Sequence, residues 1–95
     1  MSREERFGLG AKIDTLLLDL LEVLRLTTFS TAETKITLLT KAIVKTDSIR
    51  FFVQISWEAK LISTKQFEAI SIHIEEVGRM LGAWRKGLLS KNPPQ

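Results

Sequence analysis

The amino-acid sequence predicts an all-α protein folded as an antiparallel up-down helical bundle. The main observation is the spacing of large apolar residues, which recur every three or four positions from residue 67 to residue 88 and therefore line one side of a long helix. Two earlier stretches have the same spacing, and only short polar segments separate the three stretches. Because short connections make successive helices antiparallel neighbours, we expect three helices that run up, down and up.

The first helix is predicted over residues 9–28. Its apolar positions form a broad stripe along one side: Leu9, Ile13, Leu16, Leu17, Leu20, Leu21 and Leu24. Charged residues such as Asp14 and Asp19 interrupt this stretch too often for a membrane span, which requires about 18 or more nearly uncharged residues. We therefore expect a core helix and no membrane partner. The hydroxyl group of Ser30 or Thr31 is expected to cap the helix that follows.

The second helix is predicted over residues 32–61, although many of its residues are β-branched and favour strands locally. The periodicity nevertheless predicts a helix, because no Gly or Pro interrupts the stretch and successive apolar residues are three or four positions apart. One row consists of Ile36, Leu39, Ile43, Thr46, Arg50, Val53 and Trp57, and a second row of Leu38, Ala42, Ile49, Phe52 and Ala59. A helix with two apolar sides is central in its own bundle or also packs on another subunit, and we favour an oligomer.

The third helix is predicted over residues 65–90, with Ser63 or Thr64 as its N-cap. It contains two glycines four residues apart, each costing ~1 kcal/mol relative to alanine, which indicates that another backbone packs closely there. The residues assigned to helix packing or to an oligomer interface are Phe67, Ile70, Ile74, Val77, Gly78, Leu81, Gly82 and Trp84. Residues 92–95 include two prolines and are expected to form a flexible tail behind a single domain of residues 1–91.

The residues that carry chemistry are few, and they predict neither catalysis nor a cofactor. The sequence has no cysteine, which excludes disulfides and thiolate chemistry and fits a reducing cytoplasm. His73 and Glu76 share a helix face, but they occur once and in the reverse order of a di-metal bundle motif, so we expect a solvated or hydrogen-bonded histidine and no metal site. Arg50 lies within an apolar row. We expect its side chain to snorkel to solvent or to pair with a carboxylate such as Asp47 or Glu58. The alternative is that Arg50 reaches nucleic acid or a partner protein.

Positive charge is concentrated at the C-terminal end of the chain. The net charge is +3, and residues 78–95 contain four basic residues and no acidic one. The candidate nucleic-acid-binding residues are Arg3, Arg6, Lys12, Lys41, Lys45, Arg79, Arg85 and Lys86. Helical spacing places Lys41 one turn from Lys45, and Arg79 two turns from Lys86, so each pair can face phosphates along one edge. The alternative is an ordinary solvated face whose cations offset a helix dipole.

Three stretches of the sequence resemble one known family. Residues 77–84, Val-Gly-Arg-Met-Leu-Gly-Ala-Trp, follow two glutamates and are similar to the closing signature of the accessory variability determinants (Avd) of diversity-generating retroelements. Residues 3–13, Arg-Glu-Glu-Arg-Phe-Gly-Leu-Gly-Ala-Lys-Ile, and residues 49–63 agree in order and spacing. This Avd-like family also includes the bundles encoded by intervening sequences in large-subunit ribosomal RNA genes. The resemblance implies a four-helix bundle of which this chain supplies the last three helices.

The resemblance also implies a non-catalytic accessory protein. Such a protein would form a homo-oligomer, a pentameric ring, and would partner a retroelement reverse transcriptase and template RNA or cDNA during mutagenic retrohoming. Because Trp57, Phe67 and Trp84 are expected in the core, its contacts with nucleic acid would be mostly electrostatic and weakly sequence-specific. The alternative is a structural or interaction bundle of the intervening-sequence type, which has no polymerase partner.

Overall fold

The structure, a computed structural model, describes the backbone of residues 3–91 and the side chains of residues 8–91. This part of the chain forms three helices and no strand: α1 (Arg3–Thr28), α2 (Ala32–Glu58) and α3 (Thr64–Lys91). The prediction of an all-α bundle is confirmed. α1 begins before the predicted residue 9, because the helix continues through Gly8 and Gly10 without a break. The predicted tail at residues 92–95 lies outside the described residues.

Side-chain hydrogen bonds fix the starts of α2 and α3. Thr31 Oγ1 accepts a hydrogen bond from the backbone N–H of Thr34 at 3.4 Å and caps α2. At the start of α3, the backbone N–H of Gln66 donates to Ser63 Oγ at 3.0 Å, and the N–H of Ser63 donates to Gln66 Oε1 at 2.9 Å. This reciprocal pair is a capping box, which satisfies two backbone donors at once. Thr31 and Ser63 are therefore the caps among the alternatives that the sequence offered.

α2 ends at Glu58, three residues earlier than predicted, in a turn built on a lysine. Lys60 has a φ of 62°, in the left-handed region. The N–H of Lys60 donates to the carbonyl of Trp57 at 2.9 Å, and the N–H of Leu61 donates to the carbonyl of Ser56 at 2.8 Å. This is the Schellman pattern of helix termination, in which glycine is the usual left-handed residue because it has no Cβ. With lysine in that position, no local signal in the sequence marks the end of the helix.

α2 is the central helix and packs against α1 on one side and α3 on the other. Within the described residues, α1 and α3 do not pack against each other. The side-chain contacts that establish both antiparallel pairings are Lys12–Phe52 and Asp19–Lys45 between α1 and α2, and Thr40–Arg85 and Trp57–Thr64 between α2 and α3. The molecule is elongated, with principal extents of 52 × 21 × 18 Å.

The hydrophobic core follows the inner side of α2. Its buried apolar residues are Leu16, Leu20, Leu39, Ala42, Ile49, Val53, Ile74 and Leu81. Leu39 and Ala42 are completely buried. The buried hydroxyl groups of Thr27, Thr46 and Ser56 each donate to a backbone carbonyl four residues earlier in their own helix. These hydroxyl groups are therefore buried with their hydrogen-bond donors satisfied.

The aromatic residues are less buried than the sequence predicted. Trp57 and Phe67 are half-buried and stack on each other with ring centroids 4.5 Å apart. Trp84 is 39% exposed and Ile70 is 38% exposed, so the prediction that Trp84 lies in the core is wrong. The reason is that α3 packs against one helix only, which covers a narrow face and leaves the flanks of its apolar row open.

An open apolar groove lies between α1 and α3, because these helices do not meet. Its volume is about 610 Å³, and its floor is α2. The walls of this α1–α3 groove include Leu9, Ile13, Leu17 and Leu20 from α1, and Ile70, His73, Ile74 and Val77 from α3. The walls remain exposed at Leu17 (42%) and Ile70 (38%). A contiguous apolar surface of this kind is typical of a binding site for another protein segment.

Candidate nucleic-acid interface

One group of candidate cations lies along the boundary between α1 and α2. Lys45 Nζ is 3.7 Å from Asp19 Oδ2, a partly exposed ion pair that spans the two helices. Lys12 Nζ lies 5.9 Å from the ring centroid of Phe52, a cation–π contact across the same boundary. Lys41 and Lys45 line one shallow hollow of about 270 Å³. The structure therefore brings Lys12, Lys41 and Lys45 to one side of the molecule.

A second group of candidate cations lies on α3. The Arg85 Nε–H donates to Thr40 Oγ1 at 2.8 Å, which holds this half-buried guanidinium against α2. Arg79 and Lys86 are exposed, and within the described residues neither forms a hydrogen bond or an ion pair. Their charges are thus available to a polyanion. Thr40, which holds Arg85, lines the same hollow as Lys41 and Lys45, so Arg85 is the member of this group nearest to the cations on α2.

The guanidinium of Arg50 forms ion pairs with two carboxylates of the same chain. Its Nη1 is 2.6 Å from Asp47 Oδ1, and its Nε is 2.8 Å from Glu75 Oε1 on α3. Partial burial acts to lower the pKa of Arg50, but the hydrogen bonds that its guanidinium donates to Asp47 and Glu75 outweigh this effect and raise the pKa above its ordinary value. Of the alternatives that the sequence left open, pairing with Asp47 is the one observed. Arg50 fastens α2 to α3.

The glycines of α3 do not face a second backbone within the described residues. A Cβ built at Gly82 would meet no atom within 4 Å, and one built at Gly78 would lie 3.5 Å from Nη2 of Arg50. No backbone of the described residues packs on this pair, and the assignment of Gly78 and Gly82 to an oligomer interface stays a prediction. Gly78 leaves room for the guanidinium of Arg50, and Gly82 faces open space.

The remaining candidate residues divide between packing and open surface. The assigned packing residues Phe67, Val77 and Leu81 belong to the core cluster or pack against it. The side chains of Arg3 and Arg6 lie outside the described residues. His73 is exposed on the wall of the α1–α3 groove. In the part of the chain that the structure describes, His, Asp and Glu side chains form no group of three that could hold a metal ion, and no helix has the length and hydropathy to cross a membrane.

A family model described as bAvd-like matches residues 1–88. The chain belongs to the bAvd-like family. This result confirms the resemblance carried by residues 77–84, and the bAvd-like family is one of small helical accessory bundles rather than a known catalytic family. No curated protein and no solved structure matches the chain.

One feature of this bAvd-like protein could not be found from the sequence. Glu75 is the inter-helix partner of Arg50, but it lies 25 residues away along the chain, and no periodic pattern connects such distant positions. The sequence does carry a signal of the α1–α3 groove in the excess of leucine on α1, where Leu17 and Leu21 widen the apolar stripe beyond the width that one neighbouring helix covers.

Proposed function

We propose that this bAvd-like protein is a non-catalytic accessory of a retroelement reverse transcriptase, acting in the cytoplasm during mutagenic retrohoming. In this proposal it binds template RNA or cDNA through phosphate contacts and acts as a homo-oligomer, a pentameric ring. The observation that carries the proposal is the match of residues 1–88 to the bAvd-like family. Arg79 and Lys86, the exposed and unpaired cations of α3, supply the positive charge for the phosphate contacts.

The geometry supports electrostatic binding rather than recognition of bases. Arg79 and Lys86 lie two turns apart on one side of α3, about 10 Å at 1.5 Å per residue, and both are exposed. Arg85 is held by Thr40, so it presents a guanidinium in a fixed position beside them. Trp84 is the exposed aromatic residue of α3, and it is 39% exposed on another side of the helix. Phosphate contacts therefore dominate, and sequence preference is weak.

A pair of charge-reversal variants tests the nucleic-acid part of the proposal. Arg79→Glu with Lys86→Glu removes the unpaired cations of α3, whereas Lys60→Glu with Lys65→Glu makes the same change in net charge at the opposite end of the molecule. We expect the first variant to bind single-stranded RNA or DNA at least tenfold more weakly, with the slope of log K against log salt reduced in magnitude by about 1.4 for two lost phosphate contacts. The second variant should bind almost as the natural protein does.

Equal losses in the two charge-reversal variants would show that only net charge matters, and no loss in either would contradict the proposed surface. Circular dichroism should show unchanged helix content in both, since all four side chains are exposed.

The polymerase part of the proposal needs a separate test. Co-purification of the tagged protein with a reverse transcriptase encoded beside its gene is expected to survive nuclease treatment. A nuclease-resistant complex would support the accessory role. If no reverse transcriptase gene lies nearby and no complex forms, the structural bundle of the intervening-sequence type is the better interpretation.

A further inference from the structure

The outward side of α2 exposes a phenylalanine ring. Phe51 is 60% exposed, although it is large and apolar. It lies two positions before the buried Val53, about half a helical turn away from the core. Val44, two turns earlier on the same side of α2, is 59% exposed. The ring of Phe51 is therefore presented to solvent on the side of α2 that faces away from the core.

The neighbouring phenylalanine leaves a face of this ring open. Phe51 and Phe52 form a T-shaped pair, with ring centroids 5.5 Å apart and ring planes at 75°. In such a pair the edge of one ring meets the face of the other, so Phe52 covers at most one face of Phe51. The 60% exposure of Phe51 agrees with an open face. An open aromatic face is the surface on which nucleic-acid bases stack.

A cation lies beside the aromatic pair. Lys12 is exposed, and its Nζ is 5.9 Å from the ring centroid of Phe52. This contact brings a positive charge from α1 next to the Phe51 ring on α2. Within the described residues Lys12 forms no ion pair, so its charge is available to a phosphate.

Further cations lie along the same side of α2. The shallow hollow of about 270 Å³ is lined by Leu16, Thr40, Lys41, Val44, Lys45 and Ser48. Ser48 lies one turn before Phe51, so the hollow leads towards the ring. Lys41 is ten residues from Phe51, about 15 Å at 1.5 Å per residue. Arg85 reaches the far edge of this hollow through its hydrogen bond to Thr40. The cations thus extend from α3 across α2 to the Phe51 ring.

The carboxylates beside this surface leave a positive balance. Asp19 Oδ2 is 3.7 Å from Lys45 Nζ, and Asp47 Oδ1 is 2.6 Å from Nη1 of Arg50. Glu58 lies two turns beyond Phe51, at the end away from the lysines of α2, and accepts a hydrogen bond from Gln54. Lys12 and Lys41 therefore keep uncompensated charges on either side of the ring.

We propose that Phe51 is a stacking platform for an unpaired base, with the phosphates of the strand along Lys12, Lys41 and Lys45. The inference rests on nucleic-acid binding in the proposed function and specifies the ligand as a single strand. In a duplex the base faces are stacked on one another, so a ring on an outward helix surface reaches a base face only in an unpaired strand. Every base has a π-face, so stacking on Phe51 keeps the sequence preference weak.

Replacement of the ring by leucine tests the platform, because leucine is apolar but has no π-face. We expect Phe51→Leu to bind a single-stranded RNA or DNA oligonucleotide at least about fivefold more weakly, the loss of one stacked base. A duplex of the same sequence and an abasic deoxyribose-phosphate strand should bind Phe51→Leu and the natural protein equally, since neither offers an unpaired base. The slope of log K against log salt should not change, because stacking releases no counterions.

Two further variants serve as controls. Phe51→Trp keeps an aromatic face and should bind the single strand at least as tightly as the natural protein does. Phe29→Leu removes a ring that is 82% exposed in the α1–α2 connection, and it should leave the affinity unchanged. Circular dichroism and analytical ultracentrifugation should show the helix content and the mass of the natural protein for all three variants, because both positions are exposed.

The outcomes distinguish the possible failures. A natural protein that binds no nucleic acid would overturn both the proposed function and the platform. Salt-dependent binding that Phe51→Leu leaves unchanged would overturn the platform alone. An equal loss for the single strand, the duplex and the abasic strand would also overturn it, because the ring would then act only on the structure. A lower mass for Phe51→Leu would show that this ring packs against another copy, which rules out stacking on it.

Discussion

Alanine at position 82 is expected to stabilise the protein. Gly82 lies inside α3, where glycine costs about 1 kcal/mol relative to alanine because its backbone loses more freedom on folding. A Cβ at this position would meet no atom within 4 Å, so no steric cost offsets the gain. We therefore expect Gly82→Ala to raise the free energy of unfolding by about 1 kcal/mol, which corresponds to about 4–8 °C in Tm for a domain of this size.

Urea denaturation followed by circular dichroism measures this change. The protein concentration must be held constant, because association of the folded state stabilises it by mass action. The m-value should not change, since Gly82→Ala alters no buried surface. Ala83→Gly is the matched control, because Ala83 is the next residue of α3 and is also exposed, so the same propensity difference should appear with the opposite sign.

A loss of stability in Gly82→Ala would refute this reasoning. If that loss came with weaker self-association, it would show that a second backbone from another copy does pack on Gly82. The interface between copies would then lie on this side of α3. A gain in stability without any change in association is the result that the structure predicts.

Two further predictions concern the core and the tie between α2 and α3. Leu39→Ala, at a completely buried position, should lower the free energy of unfolding by about 2–5 kcal/mol, as measured by denaturant titration, and a loss below 1 kcal/mol would contradict the packing. A double-mutant cycle of Arg50→Met and Glu75→Gln should give a coupling free energy of about 0.2–1 kcal/mol, because the side chains are 41% and 60% exposed and solvent weakens their attraction. A coupling of zero would show that this ion pair does not hold the helices together.

The sequence predicted the parts of the fold that depend on local signals. Helix type followed from the three- and four-residue spacing of apolar side chains, and the caps at Thr31 and Ser63 followed from hydroxyl residues at the predicted starts. The end of α2 was placed three residues too late because Lys60 adopts a left-handed conformation that glycine usually signals. An unfavourable backbone conformation of this kind cannot be recognised from the residue type alone.

The parts that depend on topology could not be predicted from the sequence. The apolar row of α3 indicated burial, but it could not show that one neighbouring helix covers only the face with Ile74 and Leu81 and leaves Trp84 exposed. The candidate cations could be listed from the sequence as residue types, whereas their division into free and paired groups depends on contacts such as that of Arg85 with Thr40. The pairing of Arg50 with Glu75 likewise connects residues that only the fold brings together.

The proposed function requires the protein to bind nucleic acid through its positive charge and without catalysis. The most direct measurement is the affinity of the natural protein for a single-stranded RNA and for its DNA counterpart as the salt concentration is raised. We expect log K to fall linearly with log salt for both strands and for unrelated sequences alike. Absence of binding at low salt, or an affinity that does not change with salt, would contradict it.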